Sequence, residues 1–305
     1  MQFRIKHKTR FDYEQASYDS HNELRMTPLD GFGQRCLASE LTIDQPGSII
    51  SFDDFFGNHG HALCVSAPHQ SLTITAQSLV ERDPIIPETQ LEVPFVHFLR
   101  DDERRRKEYY EFLNSSRYIP FSDRLHKFFW MTHPAGTEDV GAYVTRIVAY
   151  VRDQFEYESA TTNVHSSLDD ILKSGGGVCQ DFAHLTIGLL RLAGVPARYI
   201  SGYLAPPIAS RHAATTAHQA SHAWLEAWLP DAGWTGFDPT HRCRTDERHI
   251  RIAVGRDYAD VPPLKGVYRS HGTNQVMTVD LSVELANTPV APGQPVDQAG
   301  PQSQQ

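Results

Sequence analysis

The sequence predicts an α+β protein with two parts: a β-rich N-terminal domain that resembles a small sandwich, and a second domain in which a helix packs on an antiparallel sheet. Three observations lead to this fold class. Up to about residue 82, short runs alternate apolar and polar residues, which is typical of strands. From Val140, and again from Cys179, apolar residues recur at three- and four-residue steps, which is typical of helices. After residue 197 the alternation returns.

A chain of 305 residues is long for a single domain, and changes in its pattern indicate where it divides. The predicted parts are an N-terminal β domain, a linker with a helical connector, the second domain and a disordered tail, at 1–82, 83–138, 139–285 and 286–305. Pro84, Pro87 and Pro94 favour an extended crossing at the start of the connector. The tail is rich in Pro and Gln, which favours disorder.

The charge balance and hydropathy exclude some partners. The chain carries 28 basic and 37 acidic side chains, a net charge of −9, which argues against a nucleic acid as the main partner. No apolar run approaches the roughly 20 residues that a membrane span needs. The residues after Met1 alternate at once and form no signal-peptide core. We therefore expect a cytoplasmic protein that binds neither nucleic acid nor membrane.

The cysteines indicate free thiols. They are Cys36, Cys64, Cys179 and Cys243. Their spacing includes no C-x-x-C pair and no dense framework, so structural disulfides are not expected in a reducing compartment.

The N-terminal domain reads as short strands joined by turns. Its alternating runs are at 3–5, 9–13, 41–43 and 72–76. Between them, segment 53–61 holds two Asp, one Asn and two His, which invites a metal site. A hairpin turn explains the Gly and Asn of this segment equally well, and we predict no metal there.

The second domain begins with helices and continues with strands. Its predicted helices are at about 139–156, at 168–173, and from Cys179 to Gly194. The predicted strands and the loop that interrupts them are 197–204, loop 205–220, 221–229, 234–240 and 275–283. Glu138 and Asp139 suit the positive end of the first helix.

Cys179 occupies a position that activates a thiol. Three glycines, 175–177, run into the start of its helix. The partial positive charge of a first helical turn stabilises a thiolate, and the unpaired N–H groups there can hold an oxyanion. A buried structural cysteine is the alternative for this segment taken alone.

His222 and Asp238 are the best partners for such a nucleophile. A catalytic cysteine needs a base that accepts its proton and a group that orients the base. His222 and Asp238 follow Cys179 on one predicted hairpin, in the order Cys, His, Asp. We predict that these three residues form a catalytic triad.

The register of this hairpin needs an irregularity if Asp238 is to reach His222. A turn that pairs Leu229 with Trp234 puts Asp238 and His222 on opposite faces. We therefore predict a β-bulge in the strand 222–229 that returns Asp238 to the face of His222, and a regular hairpin would count against the triad.

Three sequence blocks carry a family resemblance. They are Gly-Gly-Val-Cys-Gln-Asp-Phe-Ala at 176–183, Ser-His-Ala-Trp-Leu-Glu-Ala-Trp at 221–228 and Gly-Trp-Thr-Gly-Phe-Asp-Pro-Thr at 233–240. In this order they resemble the motifs of the transglutaminase-like superfamily, which is related in fold to papain-type cysteine proteases. Segments that resemble its bacterial branch, including that branch's N-terminal domain, are 22–28, 56–58 and 255–263. The likeness extends to about residue 285.

The resemblance implies thiol-dependent acyl chemistry without a cofactor or metal. The Cys179 thiolate would attack a glutamine carboxamide or a peptide-like amide of a protein or peptide substrate, and the Cys179 N–H would help to hold the oxyanion. His222 would protonate the departing amine, which leaves a thioester. Attack by an amine would make the enzyme a cross-linking transferase, and attack by water a peptidase or amidase. A non-catalytic peptide-binding module on the same scaffold is the alternative from another class.

The chain departs from eukaryotic transglutaminases in two respects. Those enzymes place a Trp upstream of the cysteine as a second oxyanion donor, and this chain has no Trp between 131 and 178. Tyr157, Thr161, Thr162 and Ser167 are the alternatives. The chain also lacks a D-x-D-x-D-G calcium loop, so calcium activation is not expected.

Two further groups are ambiguous in sequence. His184 lies close to Cys179 along the helix and raises a zinc site, but zinc needs more ligands in a tight cluster, and we predict none. Arg256, Asp257 and Tyr258 either line the cleft or form a structural ion pair.

Overall fold

The computed structural model describes residues 1–84, 93–98, 102–158, 167–207, 221–230, 232–270, 272 and 274–286. It confirms the α+β class, with a curled antiparallel sheet at the N-terminus and a second antiparallel sheet covered by helices. Two predicted segments lie almost wholly outside the described residues: the disordered tail 286–305, from 287 onward, and the loop 205–220, from 208 onward.

The strands are numbered in chain order. They are β1 Gln2–Leu24, β2 Gln34–Ile43, β3 Ser48–Asp53, β4 His59–Val65, β5 His69–Arg82, β6 Glu156–Tyr157, β7 Gly176–Gly177, β8 Ala197–Leu204, β9 His222–Leu229, β10 Gly233–Asp238, β11 Cys243–Arg244, β12 His249–Gly255, β13 Leu264–Ser270 and β14 Gln275–Leu285.

The helices are α1 Phe95–Phe98, α2 Asp102–Glu108, α3 Asp123–Thr132, α4 Val140–Gln154, α5 Leu168–Ser174 and α6 Cys179–Leu192. Short 3-10 helices cover Tyr110–Phe112 and Tyr258–Asp260. Within the described ranges, no helix has both the length and the apolar character that a membrane crossing requires.

The N-terminal sheet is organised around β1, a strand of 23 residues. Its first half lies between β5 and β14, and its second half lies between β4 and β13. The register against β5 shifts between Asp12 and Ser17, where the strand changes neighbours and the sheet curls. Strands β13 and β14 therefore belong to the N-terminal sheet, although they follow the second sheet in the sequence.

The helices form where the apolar periodicity predicted them. Asp139 caps α4, and its carboxylate accepts the N–H of Ala142 at 2.7 Å. Helix α6 begins at Cys179, which confirms the predicted position of the cysteine at a helix N-terminus. Phe182 and Leu185 of α6 are fully buried in the core between the helices and the second sheet.

The second sheet has the order β11-β10-β9-β8-β12, and all its pairs are antiparallel. Strand β9 alternates between its two faces. Leu225 and Ala227 join the core with α6, whereas Trp224 packs with Leu29 of the N-terminal part and Val254 of β12. Helix α6 therefore covers one face of the sheet, and the N-terminal part packs against the other.

Gly202 allows Trp224 to lie against strand β8. We expect Gly202→Ala to destabilise the protein by about 1–3 kcal/mol, because an overpacked core must shift to make room. A Cβ at Gly202 would lie 2.3 Å from the Ile250 carbonyl oxygen and 2.3 Å from the Trp224 ring. Urea denaturation measures the change in the free energy of unfolding.

Gly136→Ala is the matched control. No atom of the described residues lies within 4 Å of the added Cβ. This exposed substitution should change the free energy of unfolding by less than about 0.5 kcal/mol. If Gly202→Ala is as stable as Gly136→Ala, Trp224 does not pack on β8 as described.

Candidate active site

The structure brings Cys179, His222 and Asp238 together. Cys179 is the first residue of α6, His222 is the first residue of β9 and Asp238 is the last residue of β10. The Cys179 side chain lies close enough to the His222 ring to help raise its pKa. The Nε2 of His222 lies 2.7 Å from Oδ2 of Asp238. The thiol is partly exposed while the carboxylate is fully buried, so the three groups run from the surface into the protein.

The hairpin that carries His222 and Asp238 is regular, and the predicted β-bulge is wrong. Leu229 pairs with Gly233, one residue earlier than expected, because Gly233 adopts φ +65 and closes a shorter turn. The pairing continues without a shift to Phe237. Asp238 thus falls on the face of His222 by strand alternation alone, and a regular hairpin does not count against the triad.

The charges favour an ion pair between His222 and Asp238. Burial by itself disfavours the imidazolium, but hydrogen bonds to Asp238 and to Cys179 outweigh it and raise the pKa of His222. Burial also disfavours the carboxylate. Hydrogen bonds from His222, His241 and His249 reverse that effect and hold the pKa of Asp238 far below its usual range.

Two histidines that the sequence reasoning missed share this carboxylate. Oδ2 of Asp238 lies 2.7 Å from Nδ1 of His241 and 3.2 Å from Nε2 of His249. The backbone N–H groups of Thr240 and His241 donate to the other oxygen, at 2.8 and 3.2 Å. His241 could have been found from sequence, because a residue three positions after a strand-ending Asp can turn back to it. The approach of His249 depends on the position of β12.

His249 links Asp238 to a second carboxylate. Its ring is almost fully buried, and Nδ1 lies 3.0 Å from Oδ1 of Asp246. Burial lowers the pKa of His249, but its hydrogen bonds to Asp238 and Asp246 more than compensate and raise it. An imidazolium held between two carboxylates fixes the Asp238 side chain.

Metal-ligating groups also meet at Asp238. Two sets have ligand atoms within 4.8 Å of one another: His222, Asp238 and His241; and Asp238, Cys243 and His249. A metal in either set would take the carboxylate from His222. His184, at which the sequence raised a zinc site that we did not predict, accepts the Tyr258 N–H on Nε2 at 3.1 Å.

The segment 53–61 forms the turn between β3 and β4. Asp54 accepts the backbone N–H groups of Phe56 and Asn58 at 2.9 and 3.0 Å. Its other oxygen accepts from the Asn58 amide and from Arg25. The hairpin interpretation therefore accounts for these residues.

Of the two alternative oxyanion donors within the described residues, Tyr157 and Ser167, Tyr157 lies near the thiol. Its strand β6 pairs with β7, so that Tyr157 lies opposite Gly177. Burial raises the pKa of the Tyr157 phenol, and the nearby charges of Cys179 and Asp238 raise it further. Ser167 is used otherwise, as the N-cap of α5, with its hydroxyl 2.6 Å from Asp170. Thr161 and Thr162 lie outside the described residues.

Arg256 forms a structural ion pair. This was one of the two interpretations of Arg256 in the sequence, and lining of the cleft was the other. Its guanidinium lies 2.9 Å from Asp260 and 3.2 Å from Glu111. Asp257 is buried and accepts the Tyr118 N–H at 2.7 Å. These contacts join the segment after β12 to the connector.

Comparisons with known proteins match both parts of the chain. The family model of the transglutaminase-like superfamily matches residues 131–239, and that of the bacterial transglutaminase-like N-terminal region matches residues 3–81. An uncharacterised protein of Mycobacterium leprae is 34% identical over 290 residues, which cover 92% of this chain and 97% of that protein.

Two further similarities concern proteins whose names state an activity. The "Putative Cysteine Protease" of Cytophaga hutchinsonii has a solved structure that covers 96% of this chain and 93% of its own, with a TM-score of 0.73 and 26% identity. A protein-glutamine gamma-glutamyltransferase of Pseudomonas aeruginosa is 36% identical over 102 residues, which are 31% of this chain and 15% of that enzyme.

We expect His249→Gln to flatten the pH dependence of stability above neutral pH. Because the folded-state pKa of His249 is raised, its protonation stabilises the fold. That contribution is complete below about pH 6.5 and is lost as the pH rises through the raised pKa, with a slope of at most about 1.4 kcal/mol for each pH unit. Urea denaturation at about pH 6 and about pH 9 measures the slope.

His7→Gln is the control for this measurement. Burial lowers the pKa of His7 to about 4, so this ring stays neutral across the same pH range. In the unfolded chain His7 still titrates near its ordinary pKa of about 6.5, so His7→Gln should steepen the loss of stability between about pH 6 and about pH 9, the opposite of the change expected in His249→Gln. A wild-type slope in His249→Gln would show that His249 is not the imidazolium between the two carboxylates.

Proposed function

The chain belongs to the transglutaminase-like superfamily, and on this premise we propose that it is a cysteine enzyme that transfers or hydrolyses the acyl group of an amide. Cys179 is the nucleophile, His222 the acid and base, and Asp238 the group that orients His222. The observation that carries the proposal is the position of the Cys179 thiol beside His222, whose ring is hydrogen-bonded to the buried Asp238 carboxylate.

The first step forms a thioester. His222 takes the thiol proton on Nδ1, because Nε2 is bonded to Asp238. The Cys179 sulfur adds to the amide carbon, and the carbonyl oxygen becomes an oxyanion. Among the described residues the Cys179 N–H has no hydrogen-bond partner, as is usual for the first N–H groups of a helix, so it can donate to this oxyanion. The Tyr157 hydroxyl supplies the second hydrogen bond.

The intermediate then collapses with loss of an amine. The imidazolium of His222 gives its proton to the departing nitrogen, the carbon–nitrogen bond breaks, and ammonia or an amine leaves. The acyl group remains on Cys179 as a thioester. In the second half, His222 takes a proton from the acceptor, the acceptor adds to the thioester carbon, and the thiol is released.

The acceptor decides between two activities. With a lysine amine the product is an isopeptide bond, as the name of the Pseudomonas relative suggests. With water the product is an acid and a new amine, as the name of the Cytophaga neighbour suggests. We place the transferase first and a peptidase or amidase second, with a protein or peptide that bears a glutamine or peptide amide as the substrate.

Alkylation of Cys179 tests the nucleophile without knowledge of the substrate. We expect iodoacetamide to modify Cys179 at neutral pH at least about tenfold more slowly in His222→Ala, because the thiolate is the reacting form and the imidazolium stabilises it. Peptide mass spectrometry measures the rate at each cysteine of the otherwise unchanged protein.

The exposed His126→Ala variant is the control and should react at the wild-type rate. Equal alkylation rates in wild type and His222→Ala would contradict the ion pair. The non-catalytic binding module would then be the better interpretation of the scaffold.

The oxyanion role of Tyr157 has a separate test. We expect Tyr157→Phe to slow acylation of Cys179 by 4-nitrophenyl acetate by about 100-fold, since it removes one hydrogen bond to the oxyanion. The nitrophenolate burst measures this rate. Alkylation by iodoacetamide forms no oxyanion and should be unchanged in the same variant. A parallel loss of both rates would assign Tyr157 to the thiolate instead, and an unchanged burst would remove it from the reaction.

A further inference from the structure

His241 holds the Asp238 carboxylate by both of its oxygens. The residue lies in the turn after β10, at position i+3 from Asp238. Its backbone N–H donates to Oδ1 at 3.2 Å, and its ring Nδ1 lies 2.7 Å from Oδ2. An ionised carboxylate only accepts hydrogen bonds, so Nδ1 of His241 carries the hydrogen. A residue outside the Cys-His-Asp triad thus helps to fix the carboxylate of the triad.

The turn that carries His241 has an unusual backbone conformation. Arg242 has φ 55, in the left-handed region that residues other than glycine rarely adopt. Its guanidinium lies 2.9 Å from the carboxylate of Asp153 in α4. Backbone strain of this kind is concentrated at functional sites, where surrounding contacts impose it. The conformation of this turn brings the His241 ring back to Asp238.

His222 and His241 bond to the same oxygen of Asp238. Nε2 of His222 and Nδ1 of His241 each lie 2.7 Å from Oδ2, and Nε2 of His249 lies 3.2 Å from it. A carboxylate oxygen has about two lone-pair sites. Three ring N–H groups therefore share these sites, and each bond is weaker than it would be alone. The bond from His241 weakens the bond from His222.

His241 differs from His249 in its access to solvent. The His249 side chain is 1% exposed, and its other ring nitrogen is bonded to Asp246. The His241 side chain is 50% exposed, although its ring centroid lies only 5.3 Å from that of His222. A substitution at position 241 therefore removes a hydrogen bond from Asp238 without opening a cavity in the core.

Titratable side chains from several elements surround the pair formed by His222 and Asp238. In the described part of the chain, these side chains are Cys179 of α6, Tyr157 of β6, Cys243 of β11, His249 of β12 and His241 in the turn after β10. Besides His222, the side chains that hydrogen-bond to Asp238 are the two histidines. His241 is the one of these two that solvent reaches.

We propose that His241 is a positioning residue that limits the hold of Asp238 on His222. A general acid must give up its proton in the reaction, and an acid held too firmly in its protonated form is a weak donor. Because His241 occupies part of Oδ2, His222 remains able to protonate the departing amine. This role rests on the triad of the proposed function, and it acts through Asp238 without contact with the substrate.

Two alkylating reagents measure the charge on His222. Iodoacetate is an anion that an imidazolium beside the thiolate attracts, whereas iodoacetamide is neutral. The ratio of their rates at Cys179 falls as the pH rises and His222 loses its proton, so the midpoint of the fall reports the pKa of His222. We expect His241→Ala to raise this midpoint by about one pH unit, the scale of a single hydrogen bond to a charged group. Peptide mass spectrometry measures both rates.

Variants with and without a hydrogen-bond donor separate this role from packing. His241→Asn keeps a neutral N–H donor in place of Nδ1 and should restore the wild-type midpoint. His241→Phe keeps a ring without a donor and should raise the midpoint as His241→Ala does. The exposed His126→Ala is the control and should keep the wild-type midpoint. Circular dichroism checks that each variant folds, and His241→Phe decides if His241→Ala does not fold.

The outcomes distinguish the role of His241 from the triad itself. In His222→Ala the ratio should no longer fall with pH, and a fall that persists there would overturn both. A midpoint that is unmoved in His241→Ala and His241→Phe, with the fall lost in His222→Ala, would overturn the role of His241 alone. A ratio that is lowered at every pH in all three His241 variants, with no shift of the midpoint, would show instead that His241 attracts the anionic reagent directly.

Discussion

The buried charge of Asp238 determines how the strands around the active site must be placed. It has no exposure to solvent, so the cost of burying its charge has to be offset by hydrogen bonds. Three imidazoles and two backbone N–H groups supply them. Their sources are the start of β9, the turn after β10 and the start of β12. The hydrogen bonds to Asp238 therefore depend on the relative positions of these strands. A shift of any one of them would change the orientation of His222, the base that serves Cys179.

The N-terminal part helps to bury the face of the second sheet that carries Asp238. Strand β1 pairs with β13 and β14, so the N-terminal sheet includes strands that follow the second sheet in the sequence. Phe3 and Ile5 of β1 pack with Tyr203, Ile250 and Ile252 of the second sheet. Leu29 of the N-terminal part packs with Trp224, on the face of the second sheet that carries His222 and Asp238, so that face is covered as well. The two parts share a hydrophobic core, although their sequences match separate family models.

The sequence predicted what depends on local pattern and failed where distant strands meet. The periodicity from Val140 and the glycines before Cys179 predicted α4 and the start of α6 correctly. The expected bulge was wrong because one residue of turn length reverses the faces of a hairpin, and the φ of Gly233 decides that length. The approach of His249 to Asp238 and the return of β14 to β1 join residues far apart in the chain. No local pattern specifies such contacts.

Trp224 connects the packing of the sheet with the electrostatics of the triad. It is 1% exposed, and its ring lies 6.0 Å from His222 and 5.3 Å from His249. An indole in this position keeps water away from the carboxylate, and hydrogen bonds between charged groups are stronger in a region of low dielectric constant. The ring fits there because Gly202, the β8 residue opposite His222, has no side chain. One small residue on a neighbouring strand thus helps to make the Asp238 cluster possible.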